Sequence, residues 1–263
     1  MLWLGAGLPV IGAVLTALAL EWIGLGGDPE PSPAPDGAGA TSASPSAAAP
    51  LVVTARQEDE AGCAALPRRV SSPQDRAELV SGGDVGAVIR RNQGARAGEM
   101  NVSLTLEGGS KSLTVTSIGI EAKHPRAGEP YDGTLVCEPG AGGESKIQLF
   151  ADMDSPEPVF LAGKDSELRY FRDHVITLAP GEQVNLSATF RAEHGSHAFG
   201  LVVHYVRNGK EGIVPVPAPR GGRYALTGYA ERYEAVYEGS PDGAYRLVED
   251  PRPCSWLPAS QKC

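Results

Sequence analysis

The stretch that most constrains the fold runs from Gln183 to Arg191. Val184, Leu186, Ala188 and Phe190 alternate there, without a break, with Gln183, Asn185, Ser187, Thr189 and Arg191. A period of two puts the apolar side chains on one face and the polar ones on the other, which describes a half-buried strand of an antiparallel sheet. Pro180-Gly181 supplies the turn that leads into it. The pattern recurs upstream, where Val102, Leu104 and Leu106 alternate with Asn101, Ser103, Thr105 and Glu107.

Further strands follow from the same reasoning. Leu113 to Ile120 is a strand whose apolar parity changes between Val115 and Ile118, so a bulge is expected. Lys146 to Ala151 is another, after the Gly-rich loop Glu138 to Glu144. Ala198 to Val206 and Gly212 to Val216 flank Asn208-Gly209, a strong hairpin signal. Pro215 and Pro217 make the returning strand an edge. Ser72-Pro73 is suited to starting a short helix toward Val80. Gly (33) and Pro (22) are abundant and aromatic residues make up 6%, which suits a loop-rich strand protein rather than a helical bundle. The expected class is mainly β.

The N-terminus reads differently. Leu2 to Leu20 carries no charge and is long enough to cross a bilayer core as a helix. Trp3 and Trp22 stand near its two ends, where such rings favour the interface. A cleaved signal peptide with Ala17-Leu18-Ala19 as its cleavage motif is the rival reading, but no Lys or Arg precedes the apolar run. Asp28 to Pro50 holds six Pro and seven Ala, a composition that spaces rather than folds. The expected layout is a transmembrane helix or signal anchor at 1–27, a disordered linker at 28–61, a β-sandwich at 62–250 and a tail at 251–263.

Cys63, Cys137, Cys254 and Cys263 all lie beyond the low-complexity stretch. An even count in this position suits disulfides in an oxidising compartment. Three pairings are possible, and Cys63–Cys137 with Cys254–Cys263 is favoured.

Catalytic signatures are sparse. Gly-x-Ser-x-Gly, the P-loop and the dinucleotide fingerprint are absent. His194 and His197 could converge on a metal, but no carboxylate at useful spacing is evident beyond Glu193, and His204 falls on the opposite strand face from His197. Asp152-x-Asp154, with Asp165 and Glu167 further on, lacks the ligand ladder of a calcium loop. Neither a catalytic residue nor a metal ligand nor a cofactor is assigned. The net charge of −9 argues against nucleic acid as a partner. Five of the eight tyrosines, Tyr224, Tyr229, Tyr233, Tyr237 and Tyr245, crowd near the C-terminus. Tyr233, Ala235 and Tyr237 are expected to share one strand face, with Ser240-Pro241-Asp242-Gly243 turning the chain before Tyr245. These rings either complete the core or form an aromatic platform for a protein or glycan.

The Ile176-Thr177-Leu178-Ala179-Pro180-Gly181-Glu182 turn resembles that of bacterial immunoglobulin-like domains. More broadly, Gly62-Cys63, the Val102–Ile120 strand pair, His124-Pro125-Arg126-Ala127-Gly128 and Asp152-Met153-Asp154-Ser155-Pro156-Glu157-Pro158 resemble a group of actinobacterial single-pass membrane proteins. These have an Ala/Pro/Ser stalk and an extracytoplasmic β-rich domain. Members of the group carry Cys-x-Cys where this chain has His197-Ala198-Phe199, so no disulfide pattern carries over. The resemblance implies an immunoglobulin-like antiparallel sandwich and no particular activity. The function expected is a membrane-tethered extracytoplasmic interaction or structural module without enzymatic activity. Its partners would be the membrane, through the N-terminal helix, and an extracytoplasmic protein or glycan. The alternatives are a sensor domain of a longer protein and a hydrolase acting on cell-wall polymers.

Overall fold

A computed structural model describes residues 49–58, 62–124, 126–138, 147–218 and 223–252. The expected membrane span at 1–27, most of the linker, Cys254 and Cys263 lie outside the described residues. In chain order the elements begin with β1 (Leu51–Glu58), β2 (Gly62–Leu66), α1 (Pro73–Ser81), α2 (Val85–Arg91), β3 (Ala95–Ala97) and β4 (Glu99–Gly108). They continue with β5 (Leu113–Ala122), β6 (Thr134–Glu138), β7 (Ile147–Asp152), α3 (Tyr170–Asp173), β8 (Ile176–Leu178) and β9 (Gln183–Arg191). The last are β10 (Ser196–Arg207), β11 (Lys210–Pro215), β12 (Tyr224–Thr227), β13 (Ala235–Gly239) and β14 (Tyr245–Leu247). The protein is mainly β, as its alternating runs require.

One sheet has four strands in the order β1-β4-β9-β7. The other has ten, in the order β14-β13-β6-β2-β3-β12-β10-β5-β8, with β11 beside β10. The alternating residues do what their period dictates. Met100, Val102, Leu104 and Leu106 of β4 and Leu186, Ala188 and Phe190 of β9 face Val115, Leu201 and Val203 of the larger sheet across one core. On the wet face the polar partners pair across strands. Thr105 Oγ1 donates to Asn185 Oδ1 and Thr189 Oγ1 to Asn101 Oδ1, both at 2.7 Å.

The bulge is where the parity change placed it. Val115 pairs with Tyr205 and Ser117 with His204, which leaves Thr116 as the extra residue. β11 pairs with β10 alone, the edge position its prolines require.

Two expectations need correction. The sheets are not wholly antiparallel: β12 with β3, β13 with β6 and β7 with β9 run parallel. Parallel neighbours need a long crossover, and the chain provides one each time; between β7 and β9 it passes through α3 and β8. Nor does the linker extend to residue 61, because β1 forms within it and pairs along its whole length with β4. Leu51 and Val53 project into the core, so this end of the low-complexity region has apolar surface to bury.

The half of the large sheet around β2, β6 and β13 is covered by α1 and α2. Ser72 Oγ accepts from Asp75 N at the start of α1, and Gly82 ends that helix at φ 68°. Asp75 ties the two helices together. It accepts from Asn92 Nδ2 at 2.9 Å and from Arg91 Nη2 at 2.7 Å, and these two groups hold its carboxyl below the usual range. Leu79, Val88, Val136, Tyr237 and Tyr245 meet beneath the helices.

Candidate functional site

The tyrosine cluster does not form an exposed platform. Tyr224, Tyr233, Tyr237 and Tyr245 are buried and only Tyr229 is half-exposed. Tyr224 donates to Pro217 O at 2.8 Å, and burial pushes its phenol up to about 12. Burial raises Tyr233 and Tyr245 as well. Tyr233 accepts at its hydroxyl from Ala230 N at 3.1 Å.

The shared strand face expected for Tyr233, Ala235 and Tyr237 is also corrected. β13 begins only at Ala235, so Tyr233 belongs to the preceding loop. Tyr237 packs under α1 and α2, whereas Tyr233 joins Cys63, Leu135 and Val236 on the other side of the sheet. Because each ring completes a separate cluster, Tyr237→Ala and Tyr233→Ala should each destabilise by about 3–5 kcal/mol in urea unfolding, the range for aromatic deletions in cores. Losses below about 0.5 kcal/mol at both would contradict this packing.

Cys63 and Cys137 stand directly opposite each other on β2 and β6 and are joined by a disulfide, with Cα atoms 4.0 Å apart. The expected Cys254–Cys263 pair lies outside the described residues.

Among the described residues, an open cleft of about 1900 Å³ has room for a ligand. Four segments bound it: the loop after β5, the residues following β7, the β9–β10 turn, and the loop between β12 and β13. Arg126, Arg232, Glu129 and Glu231 give its rim both signs of charge, and Tyr131 and Tyr229 give it apolar surface. Tyr229 is placed there by Gly98, at φ 75°, since a Cβ at that position would stand 2.3 Å from the Tyr229 ring.

His197 and Asp154 lie within the cleft lining. Asp154 follows β7, and its Oδ2 accepts from Glu193 N at 2.6 Å and His194 N at 2.9 Å. His197, at the start of β10, places Nε2 3.0 Å from Asp154 Oδ1 and 3.1 Å from His194 O. His194 Nδ1 is 3.6 Å from Asp154 Oδ2. The fold therefore brings His194 and His197 to a common carboxylate, and that carboxylate is Asp154, 43 residues before His197. In the sequence Asp154 stands out as half of an Asp-x-Asp pair and within the Asp152–Pro158 stretch, with no sign of a histidine partner. Nothing local signals that β7 and β9 run side by side and end together. His204 lies apart, in a shallow groove with Ser117 and Glu211.

Among the described residues no helix is long and apolar enough to cross a membrane. No protein-family model, curated protein or solved structure matches the chain.

Proposed function

We propose that the chain is a membrane-tethered, extracytoplasmic interaction module, without enzymatic activity, that offers its cleft to a protein or glycan partner. The observation that carries this reading is the Cys63–Cys137 disulfide, because such bonds persist in oxidising compartments and are rare in the cytosol. The uncharged run from Leu2 to Leu20 supports the tether. A cleft with charges of both signs and two accessible tyrosines suits recognition of a polar partner.

The immunoglobulin-like part of the reading rests on strand order. Taken alone, β1-β4-β9-β7 against β8-β5-β10-β11 follows the ABED and CFG arrangement of immunoglobulin sandwiches, with β8 as an added edge. On this reading β2, α1, α2 and β3 are an insertion between the first two strands. The parallel β7–β9 pair departs from the arrangement, in which those neighbours are antiparallel.

A membrane-impermeant amine reagent applied to intact cells tests the orientation. Lys111, Lys123, Lys164 and Lys210 are exposed and should be modified while the membrane is whole. Modification only after lysis would place the domain on the cytoplasmic side and end this reading.

A further inference from the structure

We infer that Asp154, His197 and His194 form a binding site for a divalent transition-metal ion of the zinc class, open to the cleft. This goes beyond the tethering reading and does not depend on it.

The distances come first. His197 Nε2 lies 3.0 Å from one carboxylate oxygen of Asp154, and His194 Nδ1 lies 3.6 Å from the other. Ligands bonded at about 2.0–2.2 Å to a tetrahedral zinc stand about 3.4 Å apart. The His197–Oδ1 separation is about 0.4 Å short of that value, and the His194 distance, to the other oxygen, shows that its ring reaches the same carboxylate.

Orientation comes next. Asp154 Oδ2 is engaged by the backbone N–H groups of Glu193 and His194. That leaves Oδ1 turned toward His197. Hydrogen bonds of this kind fix a ligating carboxylate from its far side. The backbone N–H of Asp154 is itself held by Asp152 Oδ1 at 3.0 Å. His197 is equally fixed, since its neighbour Ser196 exchanges two backbone hydrogen bonds with Gly128, at 2.9 and 2.8 Å. Two of the three ligands thus come from pinned backbone.

The electron-rich atoms also converge. His197 Nε2 faces both Asp154 Oδ1 and His194 O, at 3.0 and 3.1 Å. One N–H can point squarely at only one of them. A cation between the imidazole nitrogen and the carboxylate oxygen replaces that divided hydrogen bond with two direct bonds.

The donor set then selects the metal. Two imidazoles and one carboxylate suit zinc, copper or nickel, while calcium and magnesium prefer oxygen alone. Three protein ligands leave a fourth position, which here faces the cleft.

One group has to move. Among the described residues no three His, Cys, Asp or Glu side chains are already gathered as a metal-holding set. The His194 side chain is 82% exposed, free to swing its ring from the Oδ2 side of Asp154 toward Oδ1.

Calorimetric titration of the full-length protein with zinc chloride tests this, with calcium chloride as the oxygen-seeking control. One zinc per chain is expected, and calcium should not compete. His194→Ala should weaken zinc binding by about tenfold or more, with circular dichroism and unfolding midpoint unchanged because that side chain is 82% exposed. His124→Ala, on the same cleft, should bind as the parent does. Asp154→Asn should also lose zinc; if it fails to fold, His194→Ala still decides. Absence of zinc binding in the parent protein overturns the site, and so does equal affinity in the parent and His194→Ala.

Discussion

Replacing Phe190 by alanine is expected to destabilise the protein by about 3–5 kcal/mol. The ring is fully buried and sits where the two sheets meet. Its centroid is 5.6 Å from that of Phe160 and 4.9 Å from that of Phe199, and Phe199 in turn lies 5.7 Å from Tyr224. This row of rings joins the smaller sheet to β10 and β12. Deletion of this inner member leaves a cavity between sheets whose spacing is held by the pairing of β4 with β9 on one side and of β5 with β10 on the other. Ser187→Ala, on the wet face of the same strand, should change stability by no more than about 0.5 kcal/mol. Urea unfolding of the two variants gives the comparison. Similar losses in both would mean that the alternation in β9 does not mark the buried face.

The second large effect concerns the disulfide. Cys63 and Cys137 are 74 residues apart in sequence, and closing a loop of that length restricts the unfolded chain enough to stabilise the fold by about 4 kcal/mol. The double variant Cys63→Ala/Cys137→Ala should therefore unfold at markedly lower denaturant than the parent. Using the variant rather than a reducing agent confines the change to this one bond. A midpoint unchanged in the variant would show that the β2–β6 ladder holds the two strands without covalent help.

How much of this was legible in the sequence follows from what each element carries locally. β4 and β9 announce themselves because one face of each is wet, so polar and apolar residues must alternate, whereas β10 and β11 are legible as apolar runs on either side of the Asn208-Gly209 turn. The start of α1 was legible for a similar reason, since Ser72 and Pro73 do local work there. β6 was not. Thr134, Leu135 and Val136 are all buried, and a strand covered on both faces has no period to show. β1 is hidden by its neighbour: Leu51, Val53 and the small Ala55 are all it turns to the core, and the Ala/Pro/Ser run before them dominates the composition. The tyrosines are legible as a group, but whether they complete the core or form a platform is not, and the shared strand face expected for Tyr233 and Tyr237 fails because β13 begins only at Ala235 and such boundaries are weakly encoded. Asp154 was invisible as a partner for His197 for the reason that governs most sites. The pairing is made by the parallel contact of β7 with β9, and no short stretch of sequence contains it.

The position of β1 has a mechanical consequence. It is held to a single neighbour by eight residue pairs, and it is the first described strand that any pull from the N-terminal side meets. Under load it is the element placed to detach, freeing its eight residues from β4. The slack ends a few residues later. Cys63 is bonded to Cys137, so tension beyond that point runs through a covalent bond into β6 near the middle of the large sheet. Strand and cystine together would act as a shock absorber with a hard stop, giving way over a short, fixed distance while leaving the layers beyond Cys63 folded.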